Sequence, residues 1–280
     1  MTDVVCQRQF WQPSGSRKKI HYRIWQPPVD ANALLVLLHG FAEHTGRYEK
    51  LGCALAQQGI AVAAADLPGH GLSSGNRGDI GSLEACFEIL EKLTRLVFMP
   101  ACRQESFSLF GHSFGGLLGI NWMMKNPPLL KRVVIQSPLL EAGFPIPEWK
   151  KTAAKILSIL WPTCALSVNL EVSWLSRDAA VGETYQKDPL VFNKMSARTY
   201  QDILTTRDRV MAHAADCAIP ALLLYGGADK VISTAMAQQW FSRLRCEKRC
   251  VVFPDCYHEL HNESVFADVL RETVEWTLKK

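Results

Sequence analysis

Apolar residues along this chain follow two rhythms that alternate. Short continuous runs read as strands covered on both faces: Ala33 to Leu38, Ile60 to Ala65, Ser106 to Phe110, Arg132 to Ile135, Ala221 to Tyr225 and Arg249 to Phe253. Between most of them the period lengthens to that of a helix, over 49–58, 82–97, 115–126, 234–245 and 263–279. The alternation predicts an α/β protein with a mostly parallel central sheet and helices on both faces. Ahead of it, Phe10 and Trp11, a turn at Pro13 to Ser16 and the alternating Ile20, Tyr22 and Ile24 predict a hairpin over 8–25.

The rhythm breaks between about 139 and 195, where Pro145, Pro147, Pro162 and several tryptophans interrupt it. The expected organisation is a core of residues 1–138 and 196–280 carrying a cap inserted at 139–195. Within the cap, Trp149, Ala153, Ile156, Leu157, Leu160 and Trp161 fall on one helical face, with Lys150, Lys151 and Lys155 elsewhere around it and Pro162 ending the run. Two arrangements satisfy that pattern: the face packs on the sheet domain, or part of it dips into a membrane interface as a peripheral contact.

Composition narrows the class. A chain of 280 residues that is 48% apolar can bury a large core. Its net charge of +4 is spread with no basic run, which argues against nucleic-acid binding. The nine cysteines (6, 53, 86, 102, 164, 217, 246, 250 and 256) form an odd set without a CxxC pair, so reduced thiols and a cytoplasmic location are expected. The opening stretch lacks the features of a secretory signal, and there is no apolar run of 18 residues, so any contact with lipid is expected from outside the bilayer. No His/Cys spacing resembles a zinc site, and neither a metal nor an organic cofactor is expected.

Chemistry concentrates at Gly111-His112-Ser113-Phe114-Gly115, which follows a strand pattern and opens a helix pattern. That setting is what a nucleophile elbow requires, because glycines two before and two after the serine let the backbone turn sharply and lift the hydroxyl above the sheet edge. A serine hydroxyl needs a base to take its proton and an acid to orient that base, in the chain order Ser, acid, His. His258, in the loop after the last strand, is the expected base; His261 competes, and His213 reads as half-buried and structural. Asp229, directly after the run Ala221 to Tyr225, is the expected acid, with Glu141 its rival and Asp255 a turn residue. Oxyanion donors are expected from the backbone N–H groups of Phe114 and of Phe41, the latter in the loop after Leu38.

These residues, with HGFAEHTGRY (39–48), DLPGHGLSSGNRG (66–78), GHSFGG (111–116), SPLL (137–140), TYQKDPL (184–190), GGADKV (226–231) and YHELH (257–261), resemble the monoacylglycerol lipases of the α/β-hydrolase superfamily from about residue 10 onward. The resemblance implies the α/β-hydrolase fold with a helical cap, the triad Ser113, Asp229 and His258, and an oxyanion hole of Phe41 and Phe114. It also implies a polar pocket of Glu43, Arg47, Tyr185 and His261 for a glycerol head group; pairing of Glu43 with Arg47 to brace their loop is the competing role. Phe41 and Phe114 are bulkier than the family often carries there, so a narrower acyl channel beside the serine is expected. The implied reaction is hydrolysis of a lipid monoester, monoacylglycerol, through an acyl-enzyme. A lysophospholipase or general carboxylesterase would use the same groups, and a non-catalytic ligand-binding protein could keep the fold alone.

Overall fold

The computed structural model describes residues 4–168 and 170–279. The expected hairpin forms from β1 (Val5–Trp11) and β2 (Ile20–Gln26), paired antiparallel from Val5 opposite Gln26 to Trp11 opposite Ile20. Thereafter strand and helix alternate: β3 (Ala33–Leu38), α1 (Glu49–Gln57), β4 (Ile60–Ala65), α2 (Leu83–Leu93), the short α3 (Met99–Ala101), β5 (Phe107–His112), α4 (Phe114–Met123) and β6 (Leu130–Gln136). A long excursion follows, through α5 (Glu148–Leu160), β7 (Ala165–Ser167), α6 (Ala179–Lys187), β8 (Lys194–Ser196) and α7 (Ala197–Ala212). The chain then returns with β9 (Ala221–Gly226), α8 (Thr234–Arg243), β10 (Lys248–Phe253) and α9 (Phe266–Leu278).

Eight strands form one sheet in the order β1-β2-β4-β3-β5-β6-β9-β10, parallel from β4 onward. The continuous apolar runs are explained by what covers the two faces. Val36, Leu38, Ala61, Ala63 and Leu109 pack with side chains of α2, α4 and α8. Leu35, Leu37, Val62, Ala64 and Phe110 face the other way, onto α1 and α9. With a side-chain period of two and a helix layer on each side, no position of these strands can be polar without cost. The parallel order also gathers the loops after β3, β5, β6, β9 and β10 at one sheet edge, the usual place for a site in an open α/β sheet.

Two features of the excursion, its C-terminal boundary and His213, differ from the sequence reading, and a third decides between the two arrangements that the α5 pattern allowed. The boundary read at 195/196 falls inside β8, whose Ser196 pairs with Ala165 of β7. α5 rests on α7 through the buried Ala154, while Trp149, Ile156, Ile159, Leu160 and Trp161 are all exposed, so the apolar face turns away from the sheet. His213, at the end of α7, is exposed rather than half-buried, and it pairs with Asp216. Among the described residues no helix is long and apolar enough to cross a membrane, and all nine cysteines are free thiols.

Candidate active site

The turn between β5 and α4 carries the backbone geometry that the glycine spacing predicts. Ser113 sits at φ 53° and ψ −115°, a conformation that costs a residue with a Cβ about 1–3 kcal/mol. A Cβ on Gly111 would run into the carbonyl of Gly115, and one on Gly115 into the carbonyls of Leu38 and His39, so glycine at the first lets α4 fold back on β5 and glycine at the second lets it close on the end of β3. The strained residue is tied down: its N–H donates to Gln136 C=O (3.0 Å), and its carbonyl accepts from Leu117 (3.1 Å) and Leu139 (2.9 Å). Phe114 opens α4, so its N–H belongs to the first helical turn, which has no intrahelical acceptor.

His258 Nδ1 donates to Asp229 Oδ2 at 2.8 Å, with both side chains buried. The other oxygen of Asp229 accepts from the N–H groups of Val231 (2.8 Å) and Ile232 (3.2 Å), which fixes the carboxylate plane. Burial pulls the basicity of His258 down, but the bonded Asp229 carboxylate, with Glu259 and Glu43 behind it, outweighs burial and leaves the imidazole above its ordinary pKa. Ser113 and His258 line one cavity of about 1330 Å³. Glu141 lines the same cavity without pairing to His258, and Asp255 stays an exposed turn residue.

The loop after β3 is held by its own polar network. Leu67 N–H donates to His39 Nε2 (2.9 Å), which leaves the proton on Nδ1 to donate to Gly40 C=O (2.7 Å). Burial depresses the pKa of His39 and keeps it neutral for both roles. Asp66 accepts from Thr45 N–H (2.8 Å), Thr45 Oγ1 (2.7 Å) and Leu72 N–H (2.8 Å), joining this loop to the one after β4. The braced loop sets Phe41 in the cavity wall. Its ring meets Phe114 edge-on at 5.8 Å, yet the Phe114 side chain is fully buried and outside the lining, so only Phe41 bears on the channel width.

The expected head-group residues divide. Glu43, Arg47 and Tyr185 line the cavity; His261 does not, being buried against Tyr48 in a 4.8 Å ring stack with its Nδ1 accepting from Gln136. Burial pushes the His261 pKa down to about 4. Glu43 pairs with Arg47 at 2.5 Å, as the bracing role requires. The residue that sequence reasoning missed is Glu259: Arg47 donates to both its oxygens, at 2.7 and 2.8 Å, and its N–H reaches across to Leu175 C=O in the excursion (2.8 Å). A carboxylate directly after His258 was the available signal. The rest of the wall is mostly apolar, including Leu139, Phe144, Leu166, Val191, Phe192 and Ile203.

Comparison with known proteins supplies the family. A family model described as serine aminopeptidase, S33, matches residues 29–265. The monoglyceride lipase of Rattus norvegicus is 30% identical over 262 residues, 91% of this chain and 85% of the relative. An abhydrolase domain-containing protein of Dictyostelium discoideum is 30% identical over 94% of the chain, which spans only 28% of that relative's length. Among solved structures, the monoacylglycerol lipase of Paleococcus ferrophilus is 31% identical, with a TM-score of 0.85 over 92% of this chain and 98% of that one. The strained serine turn and its buried His–Asp pair therefore stand in a known lineage: the chain belongs to the serine aminopeptidase S33 family of α/β-hydrolases, in its monoacylglycerol lipase-like branch, and is a lipolytic carboxylic ester hydrolase.

Proposed function

We propose that the protein hydrolyses monoacylglycerols to fatty acid and glycerol. The observation that carries this reading is one cavity with two chemistries: a mostly apolar wall for a single acyl chain, and the polar groups of Glu43, Arg47 and Tyr185 in the same lining as Ser113 and His258. Its volume exceeds the roughly 300–1,000 Å³ of pockets for drug-sized ligands, which suits an extended chain.

Ser113 Oγ attacks the ester carbonyl while His258 Nε2 takes its proton; the Nδ1–H bond to Asp229 keeps that nitrogen bare. The N–H groups of Phe41 and Phe114 receive the oxyanion, each such donor contributing about a hundred- to a thousandfold in rate. His258 then protonates the departing glycerol oxygen, and water enters to release the fatty acid by the same relay. The excursion acts as the cap over the acyl chain, and its exposed Trp149, Leu160 and Trp161 support a peripheral contact with a lipid surface from which substrate is drawn. The free thiols support a reducing, cytoplasmic setting.

A panel of glycerol monoesters from acetyl to oleoyl tests the reading. Long-chain monoacylglycerols are expected to have the highest kcat/KM, and Ser113→Ala is expected to abolish both turnover and fluorophosphonate labelling. Labelling that survives in the variant, or a wild type that cleaves only short esters, would overturn it.

A further inference from the structure

We infer that Glu259, acting through Arg47, makes this site select esters of uncharged alcohols and reject those with an anionic head group, such as a phosphate on the glycerol. The inference rests on the proposed hydrolysis of glycerol monoesters and names the head group that the site refuses.

The geometry is that of a cation already spent. An arginine in the wall of the cavity that holds Ser113 would ordinarily be the anchor for a phosphate, because its planar fork matches two oxygens at once. Here the Nη1 and Nη2 end of the fork is already committed to carboxylates. Arg47 Nη1 donates to Glu43 Oε2 (2.5 Å) and Glu259 Oε1 (2.7 Å), Nη2 donates to Glu259 Oε2 (2.8 Å), and the guanidinium face lies over the Tyr185 ring at 4.7 Å.

Both acids serve only as acceptors. Glu43 Oε1 takes the N–H of Gly40 (2.5 Å) and the hydroxyl of Tyr48 (2.6 Å), and Glu259 Oε2 also takes Asn262 Nδ2 (2.8 Å). Two carboxylates face one guanidinium, so the cluster carries a net negative charge. It is less than a tenth exposed, and solvent screens it little.

The loops after β3 and β10, residues 39–48 and 254–265, carry no other Lys or Arg. The remaining Lys and Arg side chains of the cavity wall, Lys150, Lys151 and Arg207, come from α5 and α7, while Asp188, also in the wall, is already paired with His44 at 2.8 Å. A glycerol diol can donate hydrogen bonds to the carboxylates; a phosphate dianion cannot, and it meets like charge from the buried pair. Glu259 is the decisive member: it follows His258 directly, takes two of the hydrogen bonds that Arg47 donates, and lines the same cavity as Ser113.

The test compares 1-decanoylglycerol with 1-decanoyl-lysophosphatidate, both below micelle formation, on wild type and Glu259→Gln, using the ratio of kcat/KM values so that a general loss of activity cancels. Fluorophosphonate labelling reports whether the variant folds. The wild type is expected to favour the neutral ester by tenfold or more. In the variant the ratio is expected to move toward the anionic ester by about a hundredfold, chiefly through KM, the size of one unit charge acting on another at about 6 Å in an effective dielectric of about 20.

An unchanged ratio in a variant that still labels would overturn the inference, as would a wild type that cleaves the lysophosphatidate as well as the glyceride, whether or not the variant folds. A wild type that labels but cleaves neither ester sinks the monoacylglycerol reading instead. The butyryl esters of ethanol and of ethylene glycol monophosphate then judge the charge rule by itself, by the same two criteria.

Discussion

Replacing Asp229 by Asn isolates the electrostatic half of the mechanism, because the structure fixes how the amide must sit. Oδ1 already accepts from the N–H groups of Val231 and Ile232, so the oxygen of the new side chain stays there and its NH2 turns toward His258 Nδ1. The imidazole must then accept at Nδ1 and carry its proton on Nε2, the nitrogen that has to be bare for Ser113. The expected loss is about 10⁴-fold in kcat, or about 5 kcal/mol of transition-state stabilisation, with substrate binding little changed.

The pH profile carries the sign. In the wild type the Asp229 carboxylate leads the groups that lift His258 against the downward pull of burial, so activity rises with pH through a value above 6.5 as the imidazole becomes neutral. Without that carboxylate burial dominates, and the limb of the residual activity moves to lower pH. Stability runs the opposite way. A raised histidine pKa stabilises the fold fully below the unfolded value and loses that contribution as pH rises through the folded value, so the deficit of the Asn variant is larger at pH 6 than at pH 9. Steady-state hydrolysis of p-nitrophenyl butyrate between pH 5 and 9, with urea unfolding at the two ends, measures both. A fall in kcat smaller than about tenfold, or a limb that stays in place, would refute the assigned roles.

Two further outcomes follow from the geometry. Ser113→Gly removes the Cβ from a backbone at φ 53°, and relief of strain exceeds the extra unfolded-state entropy; a gain of about 1 kcal/mol and a Tm higher by about 2–4 °C are expected in a thermal melt, with an unchanged or lower Tm counting against the strain. For the lipid contact, vesicles containing anionic lipid should carry the wild type upward in a flotation gradient, and Trp149→Gln combined with Leu160→Gln should weaken that association tenfold or more, since burying each such side chain contributes up to about 1.5–3 kcal/mol; a wild type that stays at the bottom removes the contact.

How legible each part was in the sequence depends on whether its signal is local. The strands could be read because a sheet covered on both faces needs unbroken apolar runs, and the serine turn because its glycines are dictated by backbone clashes within a few residues. α7 was missed for a physical reason: its inward positions are Thr199, Ile203, Thr206 and Val210, a helical spacing in which two threonines hide the apolar period. For α5 the amphipathic face was plain, but a period shows only that one side differs from the other, not which side meets the protein. The pairing of Arg47 with Glu259 could not be read from any local pattern, since the two are 212 positions apart.

The amide of Glu259 is anchored to Leu175 in the excursion, while the carbonyl of His258 is anchored to Ser137 at the root of that same excursion. The imidazole is thus tied on one side to the excursion and on the other to the strand end beneath it. Leu175 also lines the channel, so a substitution that displaces it reaches the histidine as well as the wall.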